Sequence, residues 1–181
     1  MNQAVVLRYG HRLIRDQRVT THCCLVARAF GAQKIIIEGE EDPALRRSLN
    51  GVNKSWGAGL KLEFCADWRP ALKGLKRAGY CVVHLTMYGL PLRKTMPKIR
   101  KRRKLCVVIG SQKVEPAVYA AADYNLAVGP TPHSEIAALA VFLHELFQGK
   151  ELEKPFKGAK LRITPMPCGK LVTRVKRIGG L

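Results

Sequence analysis

The chain has 181 residues, 47% of them hydrophobic, with 32 Lys and Arg against 13 Asp and Glu, a formal net charge of +19. That length suits one domain, or one domain with a small appendage, and the apolar content excludes wholesale disorder. The charge calls for a polyanionic partner, because clustered cations attract phosphates and release their counterions.

Apolar runs of strand length alternate with helical patterns, the signature of an α/β fold with a mostly parallel sheet and helices on both faces. The first strand is predicted over Ala4–Tyr9, and Thr20 or Thr21 is predicted to cap a helix that runs to Phe30 and closes at Gly31. Lys34–Glu38 reads as the second strand, and Asp42-Pro43 as the cap and first turn of the next helix. A third strand over Leu60–Phe64, a helix over Arg69–Ala78 and a fourth strand over Tyr80–Leu85 follow.

Arg93–Lys104 then carries eight basic residues and no acid, and it reads either as a solvated turn or as an RNA contact. Self-repulsion favours the second reading, since something anionic must neutralise such a run. Leu105–Ile109 and Tyr124–Val128 read as further strands around a short helix over Pro116–Ala122. His133 or Ser134 starts a helix over Glu135–Phe147, rich in Ala and Leu, that Gly149 stops. Residues 1–150 are therefore expected to form the main domain. Residues 151–181 are expected to form a basic extension, with Lys160–Thr164 and Lys170–Lys176 paired as a hairpin.

Several chemistries are disfavoured. No G-x-G-x-x-G follows the first strand, and Gly110-Ser111-Gln112-Lys113 lacks the spacing of a P-loop. His144-Glu145 does not continue to H-E-x-x-H because Gln148 stands where the second histidine belongs. The six cysteines form no C-x-x-C pair, and adjacent Cys23 and Cys24 share a ligand shell poorly, so no metal is expected. The apolar start Ala4–Leu7 is too short for a signal peptide. The run from Ile136 to Leu143 falls far short of the about 20 residues of a bilayer crossing, so a cytoplasmic protein away from membranes is expected.

Three segments carry the functional signal: His84–Gly89, Gly110–Pro116 and Val128–Glu135, each leaving a predicted strand. Ligands of open α/β sheets bind outside the carboxyl ends of strands, so three such loops point to one shared pocket. Singly, each has a plain reading: a glycine as a turn, His133-Ser134 as a helix cap, Glu135 as an acid that balances the dipole, Leu85 as core.

With the amino-terminal run from Leu7 to His22, these loops resemble the archaeal tRNA cytidine-56 2′-O-methyltransferases of the SPOUT superfamily, from about Val5 to about Arg177. The resemblance implies a deep trefoil knot near Leu85 to Leu146, a homodimer, a tRNA partner and S-adenosyl-L-methionine as cofactor. It places cofactor contacts on Leu85, on Gly110, Ser111, Gln112, Lys113 and Val114, and on Val128, Gly129, Pro130, Thr131, Pro132, His133, Ser134 and Glu135. It implies a catalytic arginine, for which Arg18 is the candidate and Arg15 or Arg12 the substitute; His22 or His11 reads either as the proton acceptor or as a structural residue.

Arg8, His11 and Arg12, with Arg100, Lys101, Arg102 and Arg103, are the candidate RNA contacts. A SPOUT base methyltransferase and a non-catalytic RNA-binding module are the competing readings. The amino-terminal Arg/His segment opposes the first, and the intact glycine loops oppose the second.

Overall fold

The computed structural model describes residues 2–57, 59–110 and 113–175. Strand β1 (Gln3–His11) is apolar on both faces, as a central parallel strand must be, with Ala4 and Val6 buried on one side and Val5 and Leu7 on the other. Around it a six-stranded sheet forms in the order β3-β2-β1-β5-β4-β6, where β2 is Lys34–Gly39, β3 Lys61–Cys65, β4 Cys81–Pro91, β5 Lys104–Gly110 and β6 Tyr124–Ala127. Every pairing in that sheet is parallel.

Helices cover both faces. On one side, α1 (Leu13–Ala29), α2 (Pro43–Trp56), α4 (Leu92–Arg100) and α6 (Glu135–Phe147) pack on Val6, Ile35, Val83 and Val107. On the other, α3 (Trp68–Arg77) and α5 (Pro116–Ala121) bury Trp68, Leu72, Leu75 and Val118 against Val5, Leu7 and Val108. The apolar side chains of α6, including Leu139, Phe142 and Leu143, make it the central helix of its layer.

Three expectations need correction. The first helix begins at Leu13, not at Thr20 or Thr21. The N-cap position is held by Arg12, not by a Ser, Thr, Asp or Asn. Instead the Asp16 carboxylate reaches back to accept the Arg12 backbone N–H at 3.1 Å and its guanidinium at 2.9 Å. Thr20 lies inside the helix, buried against His11 Nδ1 at 2.9 Å.

The first of the three loops is largely extended, because β4 continues to Pro91. Leu85 and Leu90 both register against Leu126, with a bulge between them. Gly89 permits this: a Cβ there would stand 2.6 Å from the Asn125 carbonyl oxygen.

The basic run is neither a loop nor a turn throughout. Its first part is the amphipathic helix α4, which buries Leu92, Thr95, Met96 and Ile99. Pro97 and the crowd of like charges hide that helix in the sequence.

Beyond α6, Phe156 covers the Arg28 guanidinium at 4.2 Å, and Arg28 itself donates to the carbonyls of Trp56 and Gly57. The antiparallel pair β7 (Leu161–Thr164) and β8 (Leu171–Arg174) then projects from α2, tied to it by the Lys160 N–H on the Ser55 carbonyl at 2.9 Å. Lys176, expected in the second of these strands, lies outside the described residues.

Candidate active site

The carboxyl ends of β4, β5 and β6 enclose a cavity of about 310 Å³, at the small end of the range for ligand sites. Each of the three sequence segments contributes a wall. From β4 come His84, Leu85, Thr86, Met87 and Tyr88; from the end of β5, Gly110, Lys113 and Val114; from the β6–α6 connection, Val128, Pro132, His133, Glu135 and Ala138. Tyr119 of α5 completes the lining. Ser111 and Gln112 lie outside the described residues.

Four expected cofactor residues stand apart from the lining. Ser134 is the N-cap of α6, its hydroxyl oxygen accepting the Ile136 N–H at 3.1 Å. Gly129, Pro130 and Thr131 belong to the connection itself. Among the described residues a Cβ on Gly129 would meet only His133, at an ordinary 3.8 Å.

One wall is a rigid polar network that sequence reasoning missed. His84, buried, donates from Nδ1 to Asn125 Oδ1 at 2.9 Å, and its ring meets Tyr119 edge-on at 4.6 Å. Asn125 also donates to the Tyr119 carbonyl at 3.0 Å, and the Tyr119 hydroxyl lies 3.3 Å from that of Thr86. Burial pushes the His84 imidazole below its usual value, so it stays neutral. His84 stood in a segment singled out by its sequence. Nothing in the sequence marked Tyr119, because its place depends on the packing of α5.

Glu135 is the one carboxylate of the described lining, and behind it lies Arg8, fully buried at the end of β1, with Nη2 3.6 Å from Glu135 Oε1. Among the described residues none of the three guanidinium nitrogens of Arg8 has a hydrogen-bond partner, so Glu135 is the nearest compensation for a costly buried charge. Leu85, Val114, Val128 and Ala138 supply apolar walls, and Glu135 a negative charge at the start of α6. That set suits a flat heteroaromatic ring joined to a positively charged group.

The amino-terminal candidates separate sharply. Arg8 and His11 are buried and so do not meet RNA directly, contrary to expectation. His11 Nδ1 bonds Thr20, while Nε2 lies 3.7 Å from Asp42 Oδ2 without a hydrogen bond; burial, then Arg8, push its imidazole below the usual value. Arg12 is engaged by Asp16. Arg15, Arg18 and His22 are exposed along one face of α1, and none of them lines the cavity of its own chain.

The run Arg100–Arg103 does not approach the cavity. Lys101–Arg103 precede β5, whose other end carries Gly110, so about 20 Å of strand separates them from the cavity. Arg100 turns to α6, where its Nε donates to the Glu145 carbonyl and its Nη2 to Glu145 Oε2, each at 2.9 Å.

Residues 56–173 match the family described as tRNA ribose 2'-O-methyltransferase, aTrm56. Relatives named tRNA (cytidine(56)-2'-O)-methyltransferase include one from Methanopyrus kandleri, 46% identical over 96% of this chain and 97% of that protein. Others come from Thermococcus kodakarensis, 48% identical over 94% of this chain and 97% of that protein, and Nitrosopumilus maritimus, 44% identical over 92% and 94%.

Among solved structures, the TrmH/SpoU tRNA modifying enzyme of A. aeolicus aligns with a TM-score of 0.63 at 13% identity, over 86% of this chain and 81% of that one. The SpoU methyltransferase AviRb of Streptomyces viridochromogenes, in complex with AdoMet, aligns with a TM-score of 0.58 at 14% identity; this chain matches over 81% of its length and spans 57% of that chain. These last two speak to the fold alone. Taken with the identity to the curated relatives across nearly the whole chain, the matched family model shows that this protein belongs to the tRNA ribose 2'-O-methyltransferase family.

Proposed function

We propose that this protein transfers a methyl group from S-adenosyl-L-methionine to the 2′-hydroxyl of a tRNA ribose, that of cytidine 56 in the T-loop. The observation that carries the reading is the convergence of three separate strand ends on one cavity in a chain of this family. Leu85, Val114, Val128 and Ala138 would hold the nucleoside part of the donor, with the backbone at Gly110 close by, and Glu135 would face its cationic part. When bound, the donor supplies an electrophilic methyl group.

The protein's own task is alignment and removal of the hydroxyl proton. Arg18, with Arg15 beside it, holds the target phosphate and stabilises the developing alkoxide; a guanidinium is too weak an acid to serve as the base. Because His11 is buried with its Nδ1 bonded to Thr20, His22 on the exposed face of α1 is the proton acceptor.

The site is assembled from two copies of the chain. Ile14 is fully exposed and Arg18 lies one turn further along the same face, so a second protomer that covers Ile14 brings Arg18 into its reach. Tyr88 and Leu90 of β4 are also exposed, at 78% and 56%. The chain order β4–β5–β6, with β5 inserted beside β1 and β6 placed beyond β4, supports a deep trefoil knot from Leu85 to Leu146.

Residues 1–150 act as the catalytic unit and residues 151–181 as a basic extension. Among the described residues no helix is long and apolar enough to cross a membrane, and we place the reaction in the cytoplasm. The test is incubation with labelled donor and bulk tRNA, followed by mapping of the methylated nucleotide. Label on a base, or none on tRNA, would overturn the reading.

A further inference from the structure

The sheet has a second concave surface, at the edge opposite the cavity. The α3–β4, α4–β5 and α5–β6 connections enclose a space of about 780 Å³ lined by five cationic side chains and a single carboxylate. That carboxylate, Asp123, is already engaged: Lys76 lies 3.2 Å away, and the Val82 N–H donates to it at 2.7 Å. Among the described residues Lys101, Arg102 and Arg103 have no carboxylate within salt-bridge distance.

Their turn is nonetheless firmly held. The Asn2 side chain donates to the carbonyls of Arg100 at 3.0 Å and Arg102 at 2.7 Å, and the Gln3 N–H donates to that of Arg103 at 2.8 Å. A fixed backbone thus presents unneutralised cations in a hollow. Such an arrangement costs stability in the free protein and suits a partner that brings several phosphates.

We infer that this hollow binds the phosphodiester backbone of the tRNA at a distance from the methylated nucleotide, so that one substrate spans both edges of the sheet. About 20 Å of β5 separates Lys104 from Gly110, farther than the contacts of a single nucleotide extend. The proposal rests on the tRNA methyltransferase reading and adds where the rest of the tRNA lies.

The test is a variant carrying Lys101→Ala, Arg102→Ala and Arg103→Ala, with binding to full-length tRNA and to an isolated T-arm stem-loop measured over a range of salt. For the wild type, tRNA should bind more tightly than the T-arm. The variant should lose at least about tenfold in affinity for tRNA, and its log–log salt slope should fall by about 2 to 3. T-arm affinity, donor affinity and kcat at saturating tRNA should stay unchanged.

Unaltered tRNA affinity and slope would overturn the proposal. An equal loss on the T-arm would also overturn it, by placing the contact beside the target nucleotide. Failure of the wild type to methylate tRNA would instead sink the catalytic reading, and the binding comparison would still judge the surface.

Discussion

The guanidinium of Arg8, wholly buried at the end of β1, lies 3.6 Å from the carboxylate of Glu135, the first residue of α6 and part of the cavity wall. Among the described residues none of its three nitrogens has a hydrogen-bond partner, so the pair ties the cavity's one described acid to the central strand of the sheet. Glu135→Gln should therefore strand a buried cation. Removing one member of a buried pair costs about 3–5 kcal/mol, and the partial exposure of Glu135 sets the expectation at about 2–3 kcal/mol. Urea unfolding of Glu135→Gln, Arg8→Met and the double variant checks this; the double variant should be more stable than Glu135→Gln alone, and strict additivity would refute the coupling.

Arg18→Ala should lower kcat by at least about a hundredfold while donor affinity is kept, because the side chain lies outside its own chain's cavity. Co-expression with Val114→Trp, a variant expected to block donor binding, should restore activity. Mixed dimers form half of the population with one intact site each, so about a quarter of wild-type activity is expected. No restoration would place Arg18 in the site of its own chain.

Gly89→Ala should weaken the protein by about 1–3 kcal/mol, since the new methyl would press on the backbone of Asn125 and Leu126 and push β4 away from β6. Met87 and Tyr88 sit on the same arm of β4, so donor affinity, read by calorimetry, should fall as well. An unchanged melting temperature would show that the arm yields freely.

His11 and His84 both bind a proton less readily in the folded chain than at the ordinary value of 6.5, in each case chiefly through burial. As pH drops below 6.5 the unfolded chain takes up more protons, so stability should decline between 6.5 and the lowered folded values and be retained above. Urea midpoints from pH 7.5 down to 5 check the slope, which His84→Gln should reduce. Asp16 works in the acid range: the Arg12 guanidinium holds its carboxyl below 3.8, and that contribution is lost only as pH falls beneath that value.

How much could be read in advance varied with the range of the forces involved. Asp42-Pro43 before α2 and Gly79 after α3 did what their local chemistry dictates: the Asp42 carboxylate accepts two helix N–H groups, and Gly79 takes a φ of 83°. The start of α1 was hidden because its stabilising acceptor, Asp16, lies inside the helix and not before it. Helix α4 was hidden because its apolar face is buried only once α6 and the sheet are in place, while Pro97 and the eight cations of Arg93–Lys104 advertise a loop.

Unlike the order of the strands in the sheet, the succession of strands and helices along the chain and the three segments that point to one pocket were local or patterned properties, open to reading along the chain. Which cations reach the cavity was not. Parallel strands carry every residue to one of two opposite edges, and only the closed sheet shows that Arg100–Arg103 fall at the far one while Arg15, Arg18 and His22 stay outside near the other. Burial decided the rest, since a charge sequestered beneath Glu135 and a charge offered to RNA are the same residue type until packing removes one of them from water.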